Sequence, residues 1–264
     1  MDSKLSKALR LKYPPVAVLW SDEKPEGATQ FREGRWGCIT FLLSAAVKGR
    51  VACADRASFG CPGGASGLGF GTMYDNFPGG IDYFLSTGNK EFGETEIGKK
   101  IFAENPRLAE GERYIKTPEL ARKFIDELPI REIPARYVVF KPLDAVEQDE
   151  TPQLVIFFAN ADQISALVVM ANYGRETGDN VIVPMGAGCH QTGIFPYREA
   201  ESDRPRAVIG MTDISARKYL MKMMDPGVLS FTVPFSMFRE MENNVEGSFL
   251  ETEEWLKIVE YTGL

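Results

Sequence analysis

Four cysteines, Cys38, Cys53, Cys61 and Cys189, and one histidine, His190, are the soft metal-ligating side chains of this 264-residue chain. Three of the thiols directly follow glycine, in Gly37-Cys38, Gly60-Cys61 and Gly188-Cys189. A thiolate-held cluster demands such neighbours, because its inorganic sulfide lies close to the backbone, where a bulky side chain would collide and a freed N–H can donate to sulfur. Cys61-Pro62 also carries the Cys-Pro pair that closes bacterial ferredoxin motifs. No C-x-x-C occurs, and zinc sites bring their ligands in close pairs, so the spacing is that of neither a ferredoxin nor a zinc finger. These residues point to an iron–sulfur cluster on Cys38, Cys61 and Cys189, with Gly37, Gly60, Gly63, Gly64, Gly188 and His190 lining it. Cys53 sits in the apolar string Val51-Ala52-Cys53-Ala54, where a buried structural thiol and a further ligand are equally good readings.

A single histidine excludes a multi-histidine metal centre. Cys189 and His190 are adjacent, and adjacent side chains on an extended chain point to opposite sides, so they do not form a hydrolase dyad with each other. His190 is expected beside the cluster without ligating it or on the surface, or else as a proton donor at an open position. The polar residues near these loops are Arg35, Asp55, Arg56, Tyr74, Arg198, Glu199 and Arg217. Arginine suits a carboxylate or an anionic cluster, while ordinary ion pairing is the plainer role. Gly67-Leu68-Gly69-Phe70-Gly71 lacks the third spacing of a dinucleotide fingerprint, and no phosphate-loop lysine occurs.

The elements that must position these residues follow from periodicity and punctuation. A helix over 2–12 ends at Tyr13-Pro14-Pro15, which forces an extended strand over 16–20. The run 39–47 is apolar nearly all round, as in a buried helix, and 51–54 is a short strand. Eight glycines between 60 and 80 are too many for a regular element. Thr117-Pro118-Glu119 opens a helix over 118–128. Strands follow at 137–140 and 154–158, and Asn160 with Gln163 forms a capping box for the next helix. Further strands are expected at 181–183 and 207–209, a helix from Asp213, a hydrophobic stretch at 228–233, and helices near 235–243 and 251–260. This is an α/β or α+β fold, a mixed sheet with flanking helices. The order strand, helix, strand, Gly-Cys occurs twice, which suggests two pseudo-repeated halves with the loops of Cys61 and Cys189 facing each other. One compact domain over 1–264, or two lobes of about 1–145 and 146–264, accommodates it.

A net charge of −7, with 44% hydrophobic and 25% charged residues, describes a globular chain without a phosphate-tracking surface. Lys99-Lys100 and Arg217-Lys218 lie in mixed-charge stretches and read as solvated helix faces. No apolar run nears the roughly 20 residues that cross a bilayer, and Met1-Asp2-Ser3-Lys4 does not open a secretory signal. A cytoplasmic protein is expected, whose cysteines are thiols or ligands instead of disulfides.

Gly34-Arg35-Trp36-Gly37-Cys38, Phe59-Gly60-Cys61-Pro62-Gly63-Gly64, Gly67-Leu68-Gly69-Phe70-Gly71, Phe77-Pro78-Gly79-Gly80, Phe84-Leu85-Ser86-Thr87-Gly88, Gly186-Ala187-Gly188-Cys189 and Thr212-Asp213-Ile214-Ser215-Ala216-Arg217 together resemble the family called domain of unknown function 169, over nearly the whole length. The resemblance implies no activity. It does imply cysteines at the places of Cys38, Cys61 and Cys189, a variable residue at that of Cys53, and an anaerobic setting that suits an oxygen-sensitive cofactor. The expectation is one [4Fe–4S] cluster on three cysteines, its fourth iron open to substrate, water, a non-cysteine side chain or a second chain; with Cys53 it would be a closed electron-transfer site. Expected partners are a redox protein or a small-molecule substrate, without nucleic acid or membrane; self-association fits equally well. The alternatives are a zinc-binding or metal-free sensor, and an enzyme with Cys61 or Cys189 as nucleophile.

Overall fold

The computed structural model describes residues 1–33, 37–59 and 61–262. Gly34-Arg35-Trp36 and Gly60, three of them quoted for their motifs and Gly60 as a cluster-lining residue, lie outside the described residues. Among those described, β1 (Val16–Ser21), β2 (Ala52–Ala54), β3 (Tyr137–Pro142), β4 (Leu154–Ala159), β5 (Val181–Ile182), β6 (Ala207–Gly210) and β7 (Leu229–Pro234) form one sheet in the order β2-β3-β1-β4-β7-β6-β5. Every neighbouring pair is antiparallel except β5 with β6, so the sheet is mixed. Helices α1 (Lys4–Ala8), α2 (Ile39–Val47) and α3 (Pro62–Gly67) precede β3. Helices α4 (Ile81–Leu85), α5 (Lys90–Glu94), α6 (Glu96–Glu104), α7 (Pro106–Glu110) and α8 (Pro118–Asp126) lie between α3 and β3. Then come α9 (Ala161–Asn172), α10 (Gly188–Gln191), α11 (Ile194–Ala200), α12 (Ile214–Leu220), α13 (Phe235–Asn243) and α14 (Glu253–Thr262).

Side chains alternate across a strand, so register assigns each residue to a face. Ala17, Leu19, Val139, Val155, Phe157, Phe231 and Val233 join one buried layer with residues of α1, α9, α13 and α14. Val18, Phe140, Ile156, Phe158 and Val208 are buried on the other face. There α2 packs on β1, β2 and β3, while α10 and α11 pack on β6 and β7. Leu42 and Leu43 of α2 are fully buried, each a stabilisation of about 1.5–3 kcal/mol relative to exposure.

The local signals act as expected in most places. Asn160 and Gln163 close a reciprocal capping box on α9, with both bonds at 3.0 Å. Thr117 caps α8. Two expectations change. The first helix covers only Lys4–Ala8, because Arg10 takes a left-handed φ of 49° that the helix cannot continue through. The glycine-rich stretch holds a regular element after all, α3, started by Pro62 at its first turn.

The two-half repeat has no counterpart in the sheet. β2 joins through β3 and is antiparallel, β5 joins through β6 and is parallel, and α2 and α9 cover opposite faces. The chain comprises two compact units, Met1–Phe70 with Glu132–Leu264, and Gly71–Arg131. The first holds the sheet and all four cysteines. In the second, α4 packs on α7 and α8, and Asp82 pairs with Arg122 at 3.0 Å.

Candidate functional site

Cys38 occupies the N-cap of α2, with extended φ and ψ of −90° and 141°. The position before it must be glycine, since a Cβ on Gly37 would lie 2.5 Å from the Phe31 ring. Burial raises the Cys38 thiol pKa. Cys61 is the N-cap of α3, where the N–H groups of Gly64 and Gly63 act on its sulfur to lower its pKa. Burial still dominates and pushes the Cys61 thiol up to about 11.

Cys189 lies in the first turn of α10, buried, its thiol donating to the Gly63 carbonyl at 2.8 Å. This bond joins two loops 126 residues apart in sequence. The helices touch because Gly67 has no side chain, and a Cβ there would sit 2.8 Å from the Cys189 carbonyl carbon, Cβ and Sγ. Burial raises Cys189 most, and the charges of Cys61 and Cys38 raise it further. Helix α3, which follows Cys61, and helix α10, which carries Cys189, thus pack on each other.

Cys53 is elsewhere. It is 0% exposed, pairs with Val139 in the ladder, and belongs to the layer under α1, α9 and α13, on the sheet face opposite α2. The charges acting on it come from Lys24 and Asp55, not from the other thiols.

His190 is 3% exposed, its Nδ1 accepting from the Ala187 N–H at 3.3 Å and its ring edge-on to Phe195. Burial lowers its pKa to about 4, so it is a neutral packed imidazole at physiological pH and not a surface residue. Gly188 donates its N–H to Asp213 Oδ2 at 3.2 Å. Of the other polar candidates, Arg56 pairs with Glu132, Glu199 with Arg206, and Arg217 donates to the carbonyls of Val228 and Pro226. Asp55 closes a turn onto Ser58, Arg198 lies over Phe195, Tyr74 belongs to the second unit, and Arg35 lies outside the described residues.

Asp213 was legible only as a helix-opening residue. It caps α12 through Oδ1, which accepts from the Ser215 N–H at 2.8 Å, and its charge acts on Cys38, Cys61 and Cys189 alike. The loop that delivers it bends at Met211, whose φ of 57° is rare for a residue with a Cβ. Gln191, fully buried, clamps that loop to α10, donating to Thr212 Oγ1 at 2.6 Å and to the Pro184 carbonyl at 2.8 Å and accepting from the Thr212 N–H at 3.2 Å. Among the described residues, no three His, Cys, Asp or Glu side chains close around one point tightly enough to hold a metal ion.

With this geometry established, the model of a family described as DUF169, uncharacterised ArCR, matches residues 4–244. The chain belongs to the DUF169 family. The match takes in the whole sheet, all four cysteines and Asp213, and leaves α14 beyond it. No curated protein and no solved structure matches this DUF169 chain. No helix among the described residues is long and apolar enough to cross a membrane.

The donor types of the DUF169 site, thiols beside glycine, are those a cluster would use, although the described residues form no closed metal-holding group. Three thiols come from three separate segments, glycine backbone stands beside each described one, and the Gly63 and Gly64 N–H groups act on sulfur. A single zinc ion would hold its thiolates at about 2.3 Å each and so edge to edge. A cluster places a separate iron under each thiolate and tolerates wider separation.

Proposed function

We propose that this DUF169 protein binds one [4Fe–4S] cluster through Cys38, Cys61 and Cys189 and works in electron transfer or in redox chemistry on a small molecule at the cluster. The observation that supports the reading is that α10, which carries Cys189, packs on α3 and α2, whose N-caps are Cys61 and Cys38, while Cys53 belongs to the layer on the other face of the sheet. When bound, the cluster would supply one-electron chemistry and a Lewis-acidic iron. The chain's own part is to bring three thiolates to one place and to donate backbone N–H groups to sulfur, which stabilises the reduced, more negative state.

The rival with a cysteine nucleophile is weaker. A reactive thiol needs a depressed pKa, and Cys38, Cys61 and Cys189 are all raised by burial. Four free cysteines and no cross-link fit a reducing compartment, and we place the protein in the cytoplasm of an anaerobic cell, with a redox protein or a small molecule as its partner.

The test is iron, zinc and acid-labile sulfide per chain on protein purified without oxygen, read beside its visible absorption. Iron and sulfide at about four each support the cluster. Zinc, or neither metal, overturns it and favours the zinc-binding or metal-free sensor.

A further inference from the structure

The mixed-charge stretch around Arg217-Lys218 is sorted by the fold. Its flanking acids are engaged elsewhere, Asp213 by the N–H groups of Gly188 and Ser215, and Asp225 by the Lys12 ammonium at 2.7 Å. Arg217 turns onto the carbonyls of Val228 and Pro226. Lys218 and Lys222 are left exposed, and neither meets an acidic partner among the described residues. Ile214 and Met221 stand beside them, 68% and 51% exposed, because positions i, i+4, i+7 and i+8 share one side of a helix whose other side buries Ala216 and Leu220. Tyr219 carries this face onto α2, its ring centroid 6.0 Å from that of Phe41. Phe41 is 45% exposed on a helix whose other residues are all buried.

We propose that the exposed face of α12, together with Phe41, docks a small acidic electron-carrier protein. Methionine and aromatic side chains are what the cores of protein interfaces use, and a rim of unneutralised lysines selects a partner of opposite charge. The chain as a whole carries −7, so this positive, apolar face runs against the molecule's own charge. The face also borders the cysteine segments. The Phe41 N–H donates to the Cys38 carbonyl at 3.0 Å, one helical turn away, and Ala216 of α12 packs so closely on Gly188, the residue before Cys189, that a Cβ there would lie 3.1 Å from its own. The choice of an electron carrier rests on the cluster reading above, whereas the acidity of the partner rests on the face alone.

The experiment titrates the full chain, purified without oxygen, with an acidic two-cluster bacterial ferredoxin by calorimetry at low and high salt, and measures iron and sulfide on the same sample. Wild type should bind, more weakly as salt rises. Lys218→Glu with Lys222→Glu should weaken binding at low salt at least ~10-fold, the lower end of what electrostatic steering supplies. Phe41→Ser, at an exposed position, should weaken it at both salts. Lys99→Glu with Lys100→Glu makes the same charge change in the Gly71–Arg131 unit and should leave binding unchanged. Absence of binding, or equal weakening by both pairs of lysine variants, overturns the docking face, while the iron and sulfide content judges the cluster separately. Binding to phosphatidylserine vesicles in place of the ferredoxin overturns it in favour of a membrane surface. A wild-type chain without iron overturns the cluster and with it the choice of an electron carrier.

Discussion

Gly67 and Cys189 are in van der Waals contact across the crossing of α3 and α10, so close that a Cβ on Gly67 would lie 2.8 Å from Cys189 Sγ and from its carbonyl carbon. That contact, with the thiol's hydrogen bond to Gly63, fixes where the Cys189 sulfur stands relative to Cys61.

Gly67→Ala therefore tests the crossing. Alanine gains up to about 1 kcal/mol in a helix, but the atoms it meets are backbone and Cβ, which cannot swing aside, and overpacking of that kind costs about 1–3 kcal/mol. A net loss of about 1–2 kcal/mol in urea unfolding is expected, with a fall in bound iron. Unchanged stability and iron would show that α3 shifts freely.

The four cysteines should separate into two classes. Cys53→Ala removes one buried sulfur from the layer under α9 and should cost roughly 1 kcal/mol while leaving iron and sulfide per chain unchanged. Serine at Cys38, Cys61 or Cys189 should strip or deplete the cluster. Metal analysis of the four single variants decides it, and loss of iron in Cys53→Ala would place that thiol in the site.

His190 makes stability pH-dependent with a definite sign. Its folded pKa of about 4 lies below the ordinary 6.5, so the unfolded chain takes up a proton in that window and the folded chain does not. The contribution is fully present above pH 6.5 and is lost as pH falls toward 4, a difference of roughly 3 kcal/mol. Carboxylates titrate nearby, so the readout is the difference between wild type and His190→Gln, unfolded in urea before reconstitution at both ends of the window. Parallel stability curves would contradict the burial argument.

Glu199 is buried and accepts three bonds from Arg206, Oε2 from Nε at 3.0 Å and from the backbone N–H at 3.2 Å, and Oε1 from Nη2 at 2.9 Å. Arg206→Ala leaves that carboxylate without its main partner and should cost roughly 3 kcal/mol. Arg206→Ala with Glu199→Gln should recover part of it, because the buried charge is gone. A thermal shift that is equal for the single and double variants would show that the pair does not couple.

Much of the fold was legible because its signals are local. The paired prolines before Val16, the capping box at Asn160 and Gln163, Thr117 before Pro118, and the buried run 39–47 each act within one turn or one strand, and each produced the expected element. The glycine-rich stretch misled for a tertiary reason. Gly63, Gly64 and Gly67 are poor helix formers by propensity, yet α3 forms because Pro62 starts it and its glycine face is what α10 needs in order to approach. The apparent repeat misled because order along the chain says nothing of which face a helix covers or which strand it joins.

The sequence by itself determined the mixed α and β content, the three glycine-flanked cysteines, and the family to which the chain belongs, since these depend on composition, short-range periodicity and strings of adjacent residues. Only the tertiary structure decided that Cys53 stands apart, because the side of a sheet on which a thiol falls is set by register against β3, more than 80 residues away. Only it brought Asp213 against α10, since the Gly188 N–H donates to the Asp213 carboxylate across 25 residues, a contact that no local spacing announces.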